Sequence, residues 1–160
     1  TQRFVAMPNA SEHQTGLAID LGENRTVIDL ICPAFGHADC QAFRRQAGEY
    51  GFVERYPAGK EAITGIGCEP WHYRYVGHPH AAIMQKTGLT LEEYVDYLRA
   101  FPERGRHLEF DTEHGMVEVY YVAFPDGERE VTIELPEHAH YEVSGNNVDG
   151  LIVTLRRPGR

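Results

Sequence analysis

The stretch Ser11–Asp20, SEHQTGLAID, sets His13 and Asp20 seven positions apart with Gly16 and small or apolar residues between them. Imidazole nitrogen and carboxylate oxygen are both zinc donors, and a zinc hydrolase holds its ion with three protein ligands and leaves a fourth position to water. A second stretch, EPWHY from Glu69 to Tyr73, adds a third donor, His72, and a further carboxylate, Glu69. A carboxylate close to zinc but not bound to it can take a proton from water and hand it to a leaving amine. On spacing alone, His13, Asp20 and His72 also read as a buried histidine pair with an aspartate capping a turn. Glu69 likewise reads as a surface carboxylate.

The elements that must position these residues follow from periodicity and punctuation. Leu17–Ile31 reads as two strand-like runs about the turn-rich Gly22-Glu23-Asn24, with Asp20 on the first strand and His13 in the loop entering it. Gly16 permits a tight backbone turn between them. Trp71, Tyr73 and Tyr75 alternate with His72, Arg74 and Val76, so a strand would put the aromatics on one face and His72 with Arg74 on the other. Pro70 keeps Glu69 out of helical geometry. Strict alternation places Glu69 opposite His72, so a turn must bring it round.

Elsewhere, Ala38–Tyr50 has helical spacing and stops at Gly51, and a further strand-like piece is expected around Pro57–Lys60. Thr90-Leu91-Glu92-Glu93 is a capping box opening a helix to about Ala100, with Leu91, Tyr94, Val95 and Leu98 as its buried stripe. From Gly115 the runs MVEVYYVAF, EVTIEL, YEVSG and LIVTL, with Asp126-Gly127 as a turn, predict a small antiparallel meander. The expectation is an α+β fold: a single domain over 1–160 with a central antiparallel sheet and flanking helices. Residues 1–105 would form the catalytic core and 106–160 a β-rich C-terminal extension.

Composition narrows the partners. The net charge is −9 with no basic stripe, which argues against nucleic acid or anionic lipid. No apolar run is long enough for a transmembrane helix. Cys32, Cys40 and Cys68 lack C-x-x-C pairing and read as thiols, leaning to a reducing compartment. Cys68 beside Glu69 reads as buried near the site in preference to a ligand. The pairs His78/His80 and His138/His140 read as polar surface, the first as a loop around Pro79. His37, His107 and His114 have no partner at a useful spacing.

Together the two stretches, SEHQTGLAIDL and EPWHYRYVGHPHA, resemble the zinc D-alanyl-D-alanine carboxypeptidases and dipeptidases of the VanY and VanXY type. That family's signature is S-x-H-x-x-G-x-A-x-D followed by E-x-W-H. Ser11, His13, Gly16, Ala18, Asp20, Glu69, Trp71 and His72 match its fixed positions. YGFVERYPAGKEAITGI and GLTLEEYVDYL are similar to it too, so the resemblance runs from about Phe4 to Leu98, and the β-rich tail resembles the VanXY extension.

The resemblance implies Zn2+ held by His13, Asp20 and His72, Glu69 as catalytic base and acid, and Ser11 at the substrate. It implies hydrolysis of the peptide bond before a C-terminal D-alanine, in a peptidoglycan stem peptide or the D-Ala-D-Ala dipeptide, whether for antibiotic resistance or for wall recycling. The alternatives are an L,D-carboxypeptidase acting on wall tetrapeptides and a catalytically weak zinc-containing binding module. The family places an oxyanion arginine upstream of S-x-H, and the expectation is that an upstream segment supplies it. Arg3 lies too near Ser11 to match, and Arg74 is a substitute that no motif supports. The chain begins Thr-Gln-Arg, read as processed or lacking its natural start, and the expected location is the cytoplasm.

Overall fold

The structure is a computed structural model that describes residues 10–22, 35–113, 115–125, 128 and 130–156. Its backbone forms two compact units, Thr1–Glu93 and Tyr94–Arg160. The division falls inside a helix that the sequence assigns wholly to the catalytic core. The mixed α+β class is as expected, with two antiparallel sheets.

In the first unit, strands β1 (Ala18–Asp20), β2 (Phe52–Tyr56) and β3 (Glu69–Tyr75) form a sheet in the order β1-β3-β2. The alternation in β3 is realised. Tyr73 is completely buried, with the tilted Phe35 ring at a centre separation of 6.0 Å, the Phe43 ring edge to face at 4.8 Å, and Trp71 packed on the same cluster. His72 and Arg74 take the opposite face.

Among the described residues three helices lie wholly within this unit: α1 (Ala38–Gln46), the short α2 (Glu61–Thr64) and α3 (His80–Thr87). The first passes into a 3-10 turn over Ala47–Tyr50 and ends at Gly51. Gly51 has a φ of 84°, and a Cβ there would come within 2.6 Å of the Tyr75 ring, so conformation and space both demand glycine.

The strand expected around Pro57–Lys60 lies just before it, as β2, and residues 57–60 form a turn that leads into α2. The reason is the Pro57-Ala58-Gly59 punctuation itself, with Gly59 at a φ of 81°. His80 is not in a loop either: it opens α3, with Pro79 at the N-cap. The second run of Leu17–Ile31, most of its turn, Cys32, His114 and Asp126-Gly127 lie outside the described residues.

Helix α4 (Leu91–Leu98) opens as predicted. Thr90 N–H donates to Glu93 Oε2 at 2.9 Å and Glu93 N–H donates to Thr90 Oγ1 at 3.3 Å. Tyr94 and Leu98 are its buried residues.

The second unit is built on four strands, β4 (Leu108–Thr112), β5 (Gly115–Ala123), β6 (His140–Gly145) and β7 (Gly150–Arg156), ordered β4-β5-β7-β6. This is two hairpins joined through β5 and β7, not a meander. Strand β4 was not foreseen. EVTIEL does not enter the sheet: residues 130–135 form no strand, yet Val131, Ile133 and Leu135 pack on the cluster of Tyr120, Val122, Val153 and Leu155. Alternating apolar residues fix which side chains turn inward, and here they do so without a ladder partner.

Candidate active site

Ser11 and the 3-10 turn Glu12–Thr15 lead into β1, and the turn closes at Gly16, whose φ is 72°. Ser11 caps the turn through its backbone carbonyl, which accepts from Gln14 N–H at 3.2 Å, and its hydroxyl makes no capping bond. Antiparallel register then sets Asp20 directly across from His72, Ile19 from Tyr73 and Ala18 from Arg74. Residues opposite one another in an antiparallel pair project to the same face. Asp20 and His72 are therefore brought together by the backbone itself.

The side chains converge. Asp20 Oδ1 lies 3.0 Å from His72 Nδ1, and Asp20 Oδ2 lies 3.3 Å from His13 Nε2. The two imidazoles meet edge to face with ring centres 4.9 Å apart. One donor atom from each of His13, Asp20 and His72 falls within 4.8 Å of the others. Ligand atoms on a tetrahedral zinc at about 2.0–2.1 Å sit roughly 3.3 Å from one another. These three residues fit such an ion.

Glu69 reaches the same face by a route that strict alternation forbids. Along the β2–β3 pair Glu54 faces Tyr73, but Tyr56 faces Glu69, so the register shifts between them. The irregularity gives β3 the additional residues that turn Glu69 and His72 the same way, three positions apart. Glu69 is thus in the strand, and no separate turn is needed. Its Oε2 stands 3.8 Å from His72 Nδ1, outside the three-donor group. Burial raises the Glu69 carboxyl above the ordinary range, Asp20 adds to the rise, and the two histidines oppose it.

Sequence reasoning missed the residues beneath the site. Glu12, in the variable position of S-x-H, is largely buried. Its Oε1 accepts from Arg55 Nε at 2.8 Å and lies 3.5 Å from Arg74, while its Oε2 faces His72 Nε2 at 3.6 Å. Arg55, itself buried, also forks onto Glu92, at 3.0 and 2.5 Å. Tyr56 lies beside the His72 ring with centres 5.0 Å apart. The available signal was the alternation of FVERY: Arg55 is a buried charge on a strand, and a buried charge demands partners.

Burial works to raise the Glu12 carboxyl, but contacts with His72 and Arg55 and the charges of Arg55 and Arg74 hold it at about 2. Burial likewise pushes the His72 imidazole down, and Glu12, Asp20 and Glu69 outweigh it and leave it raised. Arg55 and Arg74 offset Glu12. Asp20 and Glu69 bring negative charge to one point, where a divalent cation would be stabilised.

Other predicted residues are elsewhere. His37 caps α1, accepting from Asp39 N–H at 3.5 Å, and His107 pairs with Glu118 at 3.2 Å in the second unit. Cys68 is half-buried and outside the donor group. Among the described residues no helix is long and apolar enough to cross a membrane.

Residues 1–78 match the family model for VanY, D-alanyl-D-alanine carboxypeptidase. These 78 residues are just under half of the chain's 160. Over 100 residues the chain is 53% identical to VanXYC of Enterococcus gallinarum, a bifunctional D-Ala-D-Ala dipeptidase and D-Ala-D-Ala carboxypeptidase, which covers 61% of this chain and 53% of that protein. It is similar at 49% identity and a TM-score of 0.87 to the vancomycin resistance D,D-dipeptidase VanXYg in complex with a D-Ala-D-Ala phosphinate analog, over 98% of this chain and 62% of that one. The LD-carboxypeptidase LdcB is 46% identical with a TM-score of 0.53, over 57% of this chain and 43% of that one. The chain spans about half the length of the curated relatives it matches. Strands β1 to β3 and every side chain of the VanY motifs fall inside the matched 78 residues.

Proposed function

We propose that this protein is a zinc-dependent peptidase that hydrolyses the bond before a C-terminal D-alanine in cell-wall precursors, as a D,D-carboxypeptidase, a D,D-dipeptidase or both. The observation that carries this reading is the convergence of His13, Asp20 and His72 within 4.8 Å of one another, with the Glu69 carboxylate beside them and outside the donor set. The likeness to VanXYC, a D-Ala-D-Ala dipeptidase and carboxypeptidase, and to the D,D-dipeptidase VanXYg in complex with a D-Ala-D-Ala phosphinate analog supports the substrate class.

His13, Asp20 and His72 would hold the zinc, which when bound supplies Lewis acidity to a water and to the scissile carbonyl. Glu69 takes the proton from the attacking water and returns it to the departing D-alanine amine. In the metal-free site burial raises its affinity for protons, which favours a carboxyl that takes up a proton. Ser11, whose hydroxyl is not spent on capping the turn, would help orient the substrate. Arg74 is engaged with Glu12, which argues against its serving the oxyanion.

A second reading, an L,D-carboxypeptidase on wall tetrapeptides, draws on the likeness to LdcB. Release of D-alanine from the D-Ala-D-Ala dipeptide, a pentapeptide and a tetrapeptide decides between them. Glu69→Gln tests the mechanism: zinc content should stay at the wild-type level while turnover falls by about 10²–10⁴-fold. Undiminished turnover in that variant would refute the role of Glu69, and release from the tetrapeptide alone would overturn the D,D assignment.

A further inference from the structure

The imidazole of His72 has two nitrogens, and the site just described uses one. Nδ1 faces Asp20 and the donor cluster. Nε2 points the other way, into the protein, where it is buried and without a hydrogen-bond partner within ordinary reach. The atom across from it, Glu12 Oε2, is buried and unsatisfied in the same way. The two are 3.6 Å apart. Two orphaned polar atoms facing one another at that separation are a hydrogen bond a few tenths of an ångström too long, and leaving both unmade costs far more than closing the gap.

We infer that Glu12 is a positioning residue for the metal centre: its Oε2 accepts the Nε2–H of His72, which fixes the imidazole as the tautomer whose Nδ1 is free to bind the ion. A ligating histidine characteristically donates its other N–H to a carboxylate or carbonyl, and this second contact sets ring orientation and ligand basicity. The carboxylate is itself held. Oε1 is tied to Arg55, which is 9% exposed and forked onto Glu92, and Arg74 adds its charge from the β3 side. Glu12 therefore cannot swing away to solvent, and it reaches His72 from the turn that also carries Ser11 and His13. One short turn thus supplies a ligand, His13, and the orienting group for a second ligand, His72.

This inference rests on the proposed zinc site, and its test separates the two. Zinc affinity is measured by competition with a chromophoric chelator for the wild type, Glu12→Gln and Glu92→Gln. In Glu12→Gln the amide oxygen must stay on Arg55, so the amide nitrogen is left facing Nε2–H, donor against donor. Zinc affinity should fall by about 10–100-fold. Glu92→Gln loosens Arg55 without touching His72 and should stay within about twofold of the wild type.

Equal affinity in the wild type and Glu12→Gln overturns the inference and leaves the zinc site standing. An equal loss in both variants also overturns it, because the effect then belongs to the Arg55 network. A wild type that takes up no zinc sinks the site itself. Should Glu12→Gln fail to fold, the zinc-loaded wild type decides by nitrogen NMR of the histidine rings. A protonated Nε2 with metal-bound Nδ1 on His72 supports the inference, and the reverse tautomer overturns it.

Discussion

The two sheets bury different things. In the second unit the sheet covers its inner side with Tyr120, Val122, Val153 and Leu155, backed by Val131, Ile133, Leu135 and Leu151. In the first, the aromatic face of β3 is packed in the same manner around Tyr73, but its other face carries His72, Glu69, Glu12 and Arg55, all buried or nearly so. Ionisable groups inside a protein cost free energy unless they are paired, and even paired they contribute less than apolar residues of the same volume. The second sheet buries mainly apolar side chains, and the buried Glu118 opposite Leu155 is paired with His107. The first accepts a loss of stability on one face to hold carboxylates and imidazoles at fixed separations. Substitutions on the two sheets should therefore separate into changes of stability and changes of metal binding.

The largest stability effect belongs to the apolar sheet. Leu155 is 6% exposed and sits in the core cluster opposite Glu118 and Tyr141 in the β5 and β6 registers. Leu155→Ala should cost about 3–5 kcal/mol through lost transfer energy and the cavity left behind. Urea unfolding reads this directly, with zinc affinity of the folded fraction unchanged. A parallel loss of zinc affinity would break the contrast between the sheets.

The charged face should declare itself in acid. Glu12 has its carboxyl lowered from 4.5 to about 2, so the stability it contributes is fully present above the unfolded value and disappears as pH falls through the folded one. In zinc-free protein the contribution at neutral pH is on the order of 2 kcal/mol, once its partial exposure is allowed for. Unfolding free energy measured from pH 6 to pH 2 should decline across the window from about 4.5 to about 2, and Glu12→Gln should flatten that decline. An unchanged slope in the variant would assign the acid sensitivity to another carboxylate.

Most of this contrast is legible in the sequence, and what is not has specific causes. The pairing of His13 and Asp20 with His72, the Gly16 turn, the two faces of β3 and the capping box are legible because each is local: a spacing, a positive φ, a period of two or a four-residue box. The approach of Glu69 was not, since the register shift that turns it toward His72 arises where β3 pairs with β2, across the sheet. Glu12 and Arg55 are separated by 43 positions and read as ordinary surface charges until the fold buries them together. The inward side chains of EVTIEL were legible, but its lack of a ladder was not, because hydrogen-bond partners are chosen by the whole sheet. The β4-β5-β7-β6 order was hidden for the same reason.

The smallest effect sharpens the comparison at the helix that the two units share. Thr90 is 2% exposed and caps α4, with Glu93 returning the bond and also pairing with Lys60 at 2.8 Å. Thr90→Ala removes one acceptor for an otherwise orphaned N–H at the start of the helix and should cost about 1 kcal/mol. Thr90→Ser keeps the hydroxyl and should recover most of it. Because this cap is neither apolar core nor metal face, its loss should lower the melting temperature by a few degrees while leaving zinc affinity where it was. A Thr90→Ala protein with weakened zinc binding would show that the helix start supports the site through Glu92 and Arg55. The polar face of the first sheet would then extend one element further than the three converging donors and their immediate partners.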